Sequence, residues 1–538
     1  MRRYRPLSAV VFAIVLSALV GGLLGRRALA TDDGIPEHYK TFTAALAAIE
    51  ASHVDKVESD RLVYSAVRGM LQTLDPHSSF FDPREYALMR ERQVGRYYGL
   101  GISIMVIDGD ITVQNLFEGS PAYQKGVRRG DIIAMITGED TKGWTSDQAV
   151  RKLRGPKGTT VEIGLRRRGY EQLIMLDVPR DEITIPTIAA SFMVDASTGY
   201  IRLQDFAENT DRDLGHALHD LASRGMRRVV LDLRGNPGGP LDQAIKVTNR
   251  FLPKGRMIVY TRGRVRNSDQ DYRATEDSEF TDLPIVLIAN RNSASASEIV
   301  TGALQDHDRA YIVGETTFGK ALVQSVYPIS GGAGLALTTA HYYTPSGRLI
   351  QRPWDSSFDE YLTYTLRDQA PRPHSPSDLK YTDAGRPVYS GGGIEPDRRL
   401  DGPIEGFSPT RFGRMLYLRQ EFENFAQRFS AEGDTRVVLQ GKDRKVVKQN
   451  FVVDEAMMKE FREQLESGRG KIDEDAFKAD GDFIRAMMRF QIDVALFGMA
   501  DARRHLTSVD PQAQLAFASF GEAQKLADLS KASSKGGL

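Results

Sequence analysis

"LPIVLIANRNSASASEIVTGALQDHDRAYIVGE", residues 283–315, decides the fold. "PIVLIA" is a short apolar run that reads as a strand, "SASEIVTGALQDH" has a helical rhythm, and "RAYIVGE" returns to strand character. The alternation extends outward over about residues 190–400. "TGYIRLQDF" and "RRVVLDL" are further strand candidates; "DRDLGHALHDLASRG" and "GPLDQAIKVTNRFL" are further helix candidates. This pattern predicts an α/β core with function in loops at the strand ends. The serines at the centre have a plain structural use. Ser295 followed three residues later by Glu298, ahead of an apolar run, is a capping box.

Length and composition bound the rest. The 538 residues give room for two to four domains. Lys+Arg and Asp+Glu both number 71, so no global basic field exists to collect nucleic acid, and no nucleic-acid partner is expected. Cysteine is absent, which excludes disulfides, thiolate nucleophiles and cysteine-ligated metals and suits an oxidising compartment. The chain opens with the basic "MRRYR", an almost wholly apolar run from Leu7 to Leu24, and "ALA" at 28–30. Residues 1–30 are therefore read as a signal peptide or a membrane anchor; about 18 apolar residues suffice for one span. Either reading exports residue 31 onward, to the periplasm or to the periplasmic face of the inner membrane.

Residues 34–97 read as a helical N-terminal region, broken by "LDPHSSFFDPREY". From 98 to 184 the period changes to short strands, "GISIMVI", "DITVQNL", "DIIAMI" and "TVEIGL", interrupted by the helix-like "SPAYQKG" and "TSDQAVRKLRG". This describes a compact β-rich domain with two helices. In "GLGI", Gly99, Leu100, Gly101 and Ile102 set backbone amides ahead of a strand, where they can receive the carboxylate of a peptide terminus. The α/β core occupies 185–400, with the polar, turn-rich stretch 363–393 expected as a surface excursion. A helical extension fills 401–538, with Met and Phe at core spacing.

Three islands in the core are rich in glycine and reactive side chains: "LDLRGNPGG" (231–239), "NSASASE" (292–298) and "GETTFGKALVQ" (314–324). The third approaches a phosphate loop, but Ala321 stands where a magnesium-binding Ser or Thr belongs, and a strand follows instead of a helix. A serine–lysine pair accounts for all three islands. Serine needs a base, and lysine serves when burial lowers its pKa toward neutrality. Phe318 can shield Lys320, and Gln324 can accept its hydrogen bond without adding negative charge. The Ala296 N–H at the helix start and a glycine of "NPGG" can serve a developing oxyanion. The residues alone leave Ser293, Ser295 and Ser297 all open as nucleophile.

Together "SASASE", "TFGK-x-x-VQ", "D-L-R-x-N-P-G-G" and "G-G-G-I-x-P-D" resemble the motifs of the C-terminal processing, or tail-specific, proteases of serine peptidase family S41. The resemblance spans about residues 60–400. It implies a multidomain α/β protein: a crotonase-like core with an inserted PDZ domain at 98–184, flanked by helical regions. It implies Ser295 as nucleophile, Lys320 as base, Gln324 as its orienting partner, and the Gly238 and Ala296 amides as oxyanion hole. It assigns the "GLG"-like loop to the substrate's free C-terminal carboxylate. Arg154, at the end of the second helix of that domain, is a candidate for coupling occupancy to the active site. The expected partners are protein or peptide substrates with a free C-terminus; a homo-oligomer and membrane anchoring are further possibilities, and no cofactor or metal is expected. His77 in "LDPHS" is a rival base. A non-catalytic peptide-binding scaffold and acyl-CoA chemistry are the rival functions.

Overall fold

A computed structural model describes residues 35–167, 169–354, 361–366, 373–402, 404, 407–434, 445–469 and 472–536. The leader read at 1–30 lies outside them. Among the described residues no helix is long and apolar enough to cross a membrane.

Two compact units divide the chain at residue 82. In the first, α1 (Ile35–Ser52) and α2 (Ser59–Leu71) precede the short strand β1 (Ser79–Phe81). Tyr64 and Phe80 pack with ring centroids 4.9 Å apart, joining α2 to β1. The "LDPHSS" turn is tied by Asp75, whose Oδ1 accepts from the His77 and Ser78 amides at 2.8 Å.

The second unit begins with α3 (Pro83–Val94) and β2 (Arg96–Gly99). The β-rich domain follows: β3 (Ile102–Ile107), β4 (Asp110–Leu116), α4 (Pro121–Gln124), β5 (Ile132–Ile136), β6 (Glu139–Asp140), α5 (Ser146–Leu153), β7 (Thr160–Arg166) and β8 (Ile174–Pro179). Its antiparallel sheet has the order β3–β4–β5–β7–β8, with β6 beside β5. β9 (Asp181–Thr184) returns against β2, from Arg96 opposite Thr184 to Gly99 opposite Asp181, so the domain leaves the chain where it entered. Along β7, Val161, Ile163 and Leu165 are buried while Thr160, Glu162 and Arg166 are exposed, the period-two signature of a sheet with one covered face. Thr145 and Gln148 form a capping box on α5, fixing where that helix starts.

The core contains β10 (Ile188–Met193), β11 (Thr198–Leu203), α6 (Thr210–Ser223), β12 (Arg228–Asp232), α7 (Leu241–Asn249), β13 (Met257–Arg262) and β14 (Gln270–Arg273). It continues through β15 (Ile285–Ala289), α8 (Ala296–Asp306), β16 (Ala310–Gly314), β17 (Leu322–Pro328), β18 (Gly334–Tyr343), β19 (Leu379–Tyr381), β20 (Pro387–Tyr389) and β21 (Arg398–Arg399). The central sheet has the order β10–β11–β12–β15–β16–β21, parallel from β11 onward. A second, antiparallel sheet pairs β17 with β18, β18 with β13 and β13 with β14.

The unbroken apolar runs in β12 and β15 have a physical cause: both faces of the central sheet are covered. Val229, Leu231, Ile285 and Leu287 face α6, α7 and α8. Val230, Val286 and Ile288 face the opposite way, onto Ala513, Ala516, Phe520 and Ala523 of the C-terminal extension. That extension comprises α9 (Arg411–Leu418), α10 (Glu421–Ala426), β22 (Phe429–Ala431), β23 (Lys445–Val447), α11 (Glu455–Arg469), α12 (Glu474–Ala479), α13 (Gly481–Leu496), α14 (Met499–Val509), α15 (Pro511–Ala518) and α16 (Phe520–Gly536). Phe422, Phe425, Phe461 and Met488 build its own core, as their spacing suggests. Its last helices do something the sequence reading did not foresee, since they form the back layer of the α/β core.

The stretch 363–393 runs over the surface where it is described, as expected, and is tied down there. Arg386 donates to Asp308 Oδ1 at 2.6 Å and pairs with Asp397, while His307 Nδ1 lies 2.8 Å from Asp383. Charged side chains seal this segment onto the end of α8, so polarity here marks an ionic contact.

Candidate active site

The three glycine-rich islands lie at the C-terminal ends of adjacent parallel strands: "LRGNPGG" after β12, "NRNSAS" after β15, and "ETTFGK" after β16. Strand ends in such a sheet converge, which brings together residues distant in sequence.

The structure separates the serines. Ser293 is fully buried, and its Oγ donates to Leu233 O at 2.8 Å. Ser297 is fully buried, and its Oγ donates to Asn236 O at 3.0 Å. Both hydroxyls stitch the α8 turn to the β12 loop. Ser295 alone of the three is partly exposed. It stands immediately before α8 with φ 54° and ψ −114°, a conformation that a side-chain-bearing residue adopts at a cost of about 1–3 kcal/mol. Strain of this kind persists where surrounding contacts over-determine it, and here they do. The Ser295 N–H donates to Glu298 Oε2 at 2.8 Å, and Ser295 O accepts from the Tyr342 hydroxyl at 3.1 Å.

Glu298 supplies half of the anticipated capping box and much more. Fully buried, its Oε2 also accepts from Lys320 N–H at 2.9 Å, while Oε1 accepts from Gly319 N–H and Thr317 Oγ1, both at 2.6 Å. Burial pushes its carboxyl above the ordinary glutamate range, against the pull of these four donors. Tyr342, on β18, adds a second tie: its hydroxyl shares its one proton between Lys320 O at 2.5 Å and Ser295 O at 3.1 Å. The Lys320 Nζ donates to Gln324 Oε1 at 2.9 Å, and a register shift in β17 between Val323 and Gln324 sets that side chain. The Phe318 ring packs edge-on against Tyr361 and Tyr364, with centroids 5.2 and 6.1 Å away.

Of the two expected oxyanion donors, one is open. Ala296 N–H meets no acceptor among the described residues. Gly238 differs from the expectation, because its N–H donates to Asn236 Oδ1 at 2.9 Å. Gly238 nonetheless belongs to the site. At φ 91°, a Cβ there would sit 2.6 Å from Ala294 O, 2.7 Å from Ala296 N and 2.8 Å from Ser295 Cβ. Only glycine lets the loop approach the serine this closely.

Below this loop lies a charged cluster. Asp232, fully buried, accepts from Tyr200 at 2.6 Å and pairs with Arg202 at 2.8 Å and Arg234 at 2.7 Å. Burial opposes its ionisation, yet the two guanidinium groups hold its carboxyl far below the usual carboxylate range. On the other side, Arg352 braces the "TFGK" turn, donating through Nε to Phe318 O and through its own N–H to Gly319 O, both at 2.8 Å. The "GGGI" stretch closes over the same turn, with Ile394 N–H donating to Thr317 Oγ1 at 2.7 Å. Sequence reasoning missed Tyr342, Asn236 and Arg352.

A groove of about 430 Å³ runs beside β3 and α5, lined by Leu100, Ile102, Ile104, Val150 and Leu153 of the β-rich domain and walled on its other side by Leu88, Glu91 and Arg92 of α3. At its end the Leu100 and Gly101 N–H groups meet no acceptor among the described residues. Gly101, at φ 82°, turns this corner. Gly99 closes the β2–β9 ladder and Ile102 opens β3. Arg154 reaches the groove as well. It pairs with Glu91 of α3 at 2.5 Å and lies over the Tyr97 ring at 4.7 Å.

An α/β core with an inserted, grooved β-rich domain, and a serine and lysine at adjoining strand ends, is an arrangement a serine peptidase could use. Residues 197–354 match the model of peptidase family S41, and residues 88–166 match that of the PDZ domain. The chain is 41% identical over 307 residues to the carboxy-terminal-processing protease of Bartonella bacilliformis, covering 56% of this chain and 70% of that one. It is 32% identical over 390 residues to the carboxy-terminal processing protease CtpA of Bacillus subtilis, covering 71% of this chain and 82% of that one. A solved photosystem II D1 C-terminal processing protease aligns at 27% identity and TM-score 0.35, over 67% of this chain and 92% of that one. The chain belongs to peptidase family S41, among the carboxy-terminal processing proteases.

Proposed function

We propose that this protease is an endopeptidase with Ser295 as nucleophile and Lys320 as general base, and that its PDZ groove receives the free C-terminus of exported polypeptides. The supporting observation is the shared acceptor: Glu298 Oε2 takes the amides of both Ser295 and Lys320. Lys320 Nζ removes the Ser295 Oγ proton as Oγ attacks the scissile carbonyl. Gln324 orients the amine while remaining neutral, so it adds no negative charge to hold the ammonium form. The oxyanion accepts from Ala296 N–H, and from Gly238 N–H once the bond to Asn236 yields. The Lys320 ammonium returns its proton to the leaving amine. A water then gives a proton to Lys320 as it attacks the acyl-enzyme, and Lys320 passes that proton to Ser295 Oγ as the acyl bond breaks.

The substrate carboxylate docks on the Leu100 and Gly101 amides, and the apolar groove takes the last side chain. Arg154 senses that occupancy through its contacts with Glu91 and Tyr97. The leader at 1–30 sends the enzyme to the periplasm or tethers it to the inner membrane facing that compartment. The test compares one substrate as free acid and as C-terminal amide, in wild type and after deletion of 98–184. The free acid is cut faster by wild type only. Equal rates in wild type would remove the C-terminal claim.

A further inference from the structure

Helix α14 starts on the PDZ domain and ends on the loop that carries Gly238. At its start, Glu118 Oε1 accepts from Met499 N–H at 2.9 Å. Glu118 directly follows Phe117, whose N–H donates to Gly101 O at 3.0 Å. The acceptor at the head of α14 is thus one residue from a bond into the loop offered to a substrate C-terminus. At the other end, Asp510 Oδ2 pairs with Arg234 Nη2 at 2.7 Å, and Gln512 Oε1 accepts from Arg234 Nη1 at 3.1 Å. Arg234 opens the turn that runs through Asn236 to Gly238, against Ser295. Eleven helical residues span about 16 Å, a stiff distance beside the loops at either end.

The extension adds charges of both signs to the cluster, Arg503 of α14 near Arg202 and Arg234 and Asp510 against Arg234. Arg202 and Arg234 both lean on the single buried carboxylate of Asp232. Asp510, itself buried, brings a second one. Paired on both sides, the Arg234 guanidinium has its hydrogen bonds fixed, and the backbone that follows inherits that position.

We propose that Asp510 and Gln512 are positioning residues for hydrolysis at Ser295, holding the 233–239 loop through Arg234, and that α14 makes this hold depend on where Glu118 stands. The dependence on Glu118 rests on the reading that the PDZ groove holds a substrate C-terminus. The contacts of Asp510 allow a clean test, because Oδ1 caps α15, accepting from Gln512 and Ala513 N–H, while Oδ2 faces Arg234. Asp510→Ser keeps a capping oxygen and deletes the pair; Asp510→Asn keeps the cap and turns an amide donor toward the guanidinium.

In the full-length enzyme, each variant is assayed well below its own unfolding transition. Both should lose about tenfold or more in kcat with KM within about twofold, whereas a purely structural role would lower the transition and leave kcat of the folded protein intact. Glu118→Ala should lower kcat severalfold and Glu118→Gln, which keeps the acceptor, should not. The double variant E118A/D510S should lose no more than D510S alone. Wild-type kcat in folded D510S and D510N would overturn the positioning role. Multiplying losses in the double variant would overturn the strut. Failure of the PDZ reading shows separately, as equal wild-type rates on free-acid and amidated substrate.

Discussion

Ser295 and Lys320 donate their backbone amides to one carboxylate oxygen, Glu298 Oε2, at 2.8 and 2.9 Å. Lys320 lies 25 positions after Ser295, and one buried atom sets their relative position. Glu298→Gln keeps the size but presents an NH₂ to donors that need an acceptor. A buried donor left unpaired costs about 1–3 kcal/mol, so E298Q should be less stable. Its kcat should fall about 100-fold, because a small misplacement of the proposed nucleophile and base is that expensive. Steady-state kinetics on a peptide substrate, with a urea melt alongside, checks both numbers.

Gly238→Ala places a methyl where Ala294 O, Ala296 N and Ser295 Cβ already stand within 2.8 Å, at a φ that alanine resists. The loop must withdraw from the serine. We expect a loss of about 100-fold in kcat, comparable to losing an oxyanion donor, with a stability cost of about 1–3 kcal/mol. A melt showing the cost without the kinetic loss would place Gly238 in the scaffold alone.

How much of this was legible in the sequence depended on what each residue's signal encodes. The strands showed because a sheet covered on both faces demands apolar runs such as "PIVLIA". The glycine islands showed because close backbone approach excludes side chains, as at Gly238. Glu298 was half legible: its spacing from Ser295 announced a cap, but its bonds to Thr317, Gly319 and Lys320 cross a loop that no local pattern records. Tyr342 was invisible, since a tyrosine in a strand looks like any packed aromatic until β18 is placed. The same holds for the extension, where Met and Phe spacing revealed apolar faces but not the sheet that α15 and α16 cover. The choice of Ser295 over Ser293 and Ser297 gains physical support only from burial and φ.

Acid stability follows from Asp232. Its carboxyl titrates far below the usual range when folded and near 3.9 when unfolded. The unfolded chain therefore binds more protons at acid pH, and the contribution of Asp232 is full above about pH 4 and shrinks as pH falls below it. Asp232→Asn leaves Arg202 and Arg234 short of a buried carboxylate, which should cost about 3–5 kcal/mol at pH 7. Urea melts from pH 7 to pH 3 should show the gap between wild type and D232N constant at first and narrowing below about pH 4. A gap that widens on acidification would reverse the sign of the account.

The central claim is the pairing of Ser295 with Lys320, and peptide-bond cleavage by serine and lysine variants tests it most directly. Ser295→Ala should abolish cleavage while the protein stays folded, because its own N–H and C=O make the bonds to Glu298 and Tyr342 that fix residue 295. Lys320→Arg should be equally inactive, since a guanidinium holds its proton at neutral pH. Ser293→Ala and Ser297→Ala each remove one stitch to the β12 loop and should retain measurable turnover. Wild-type cleavage by S295A, or full activity in K320R, would contradict the pairing.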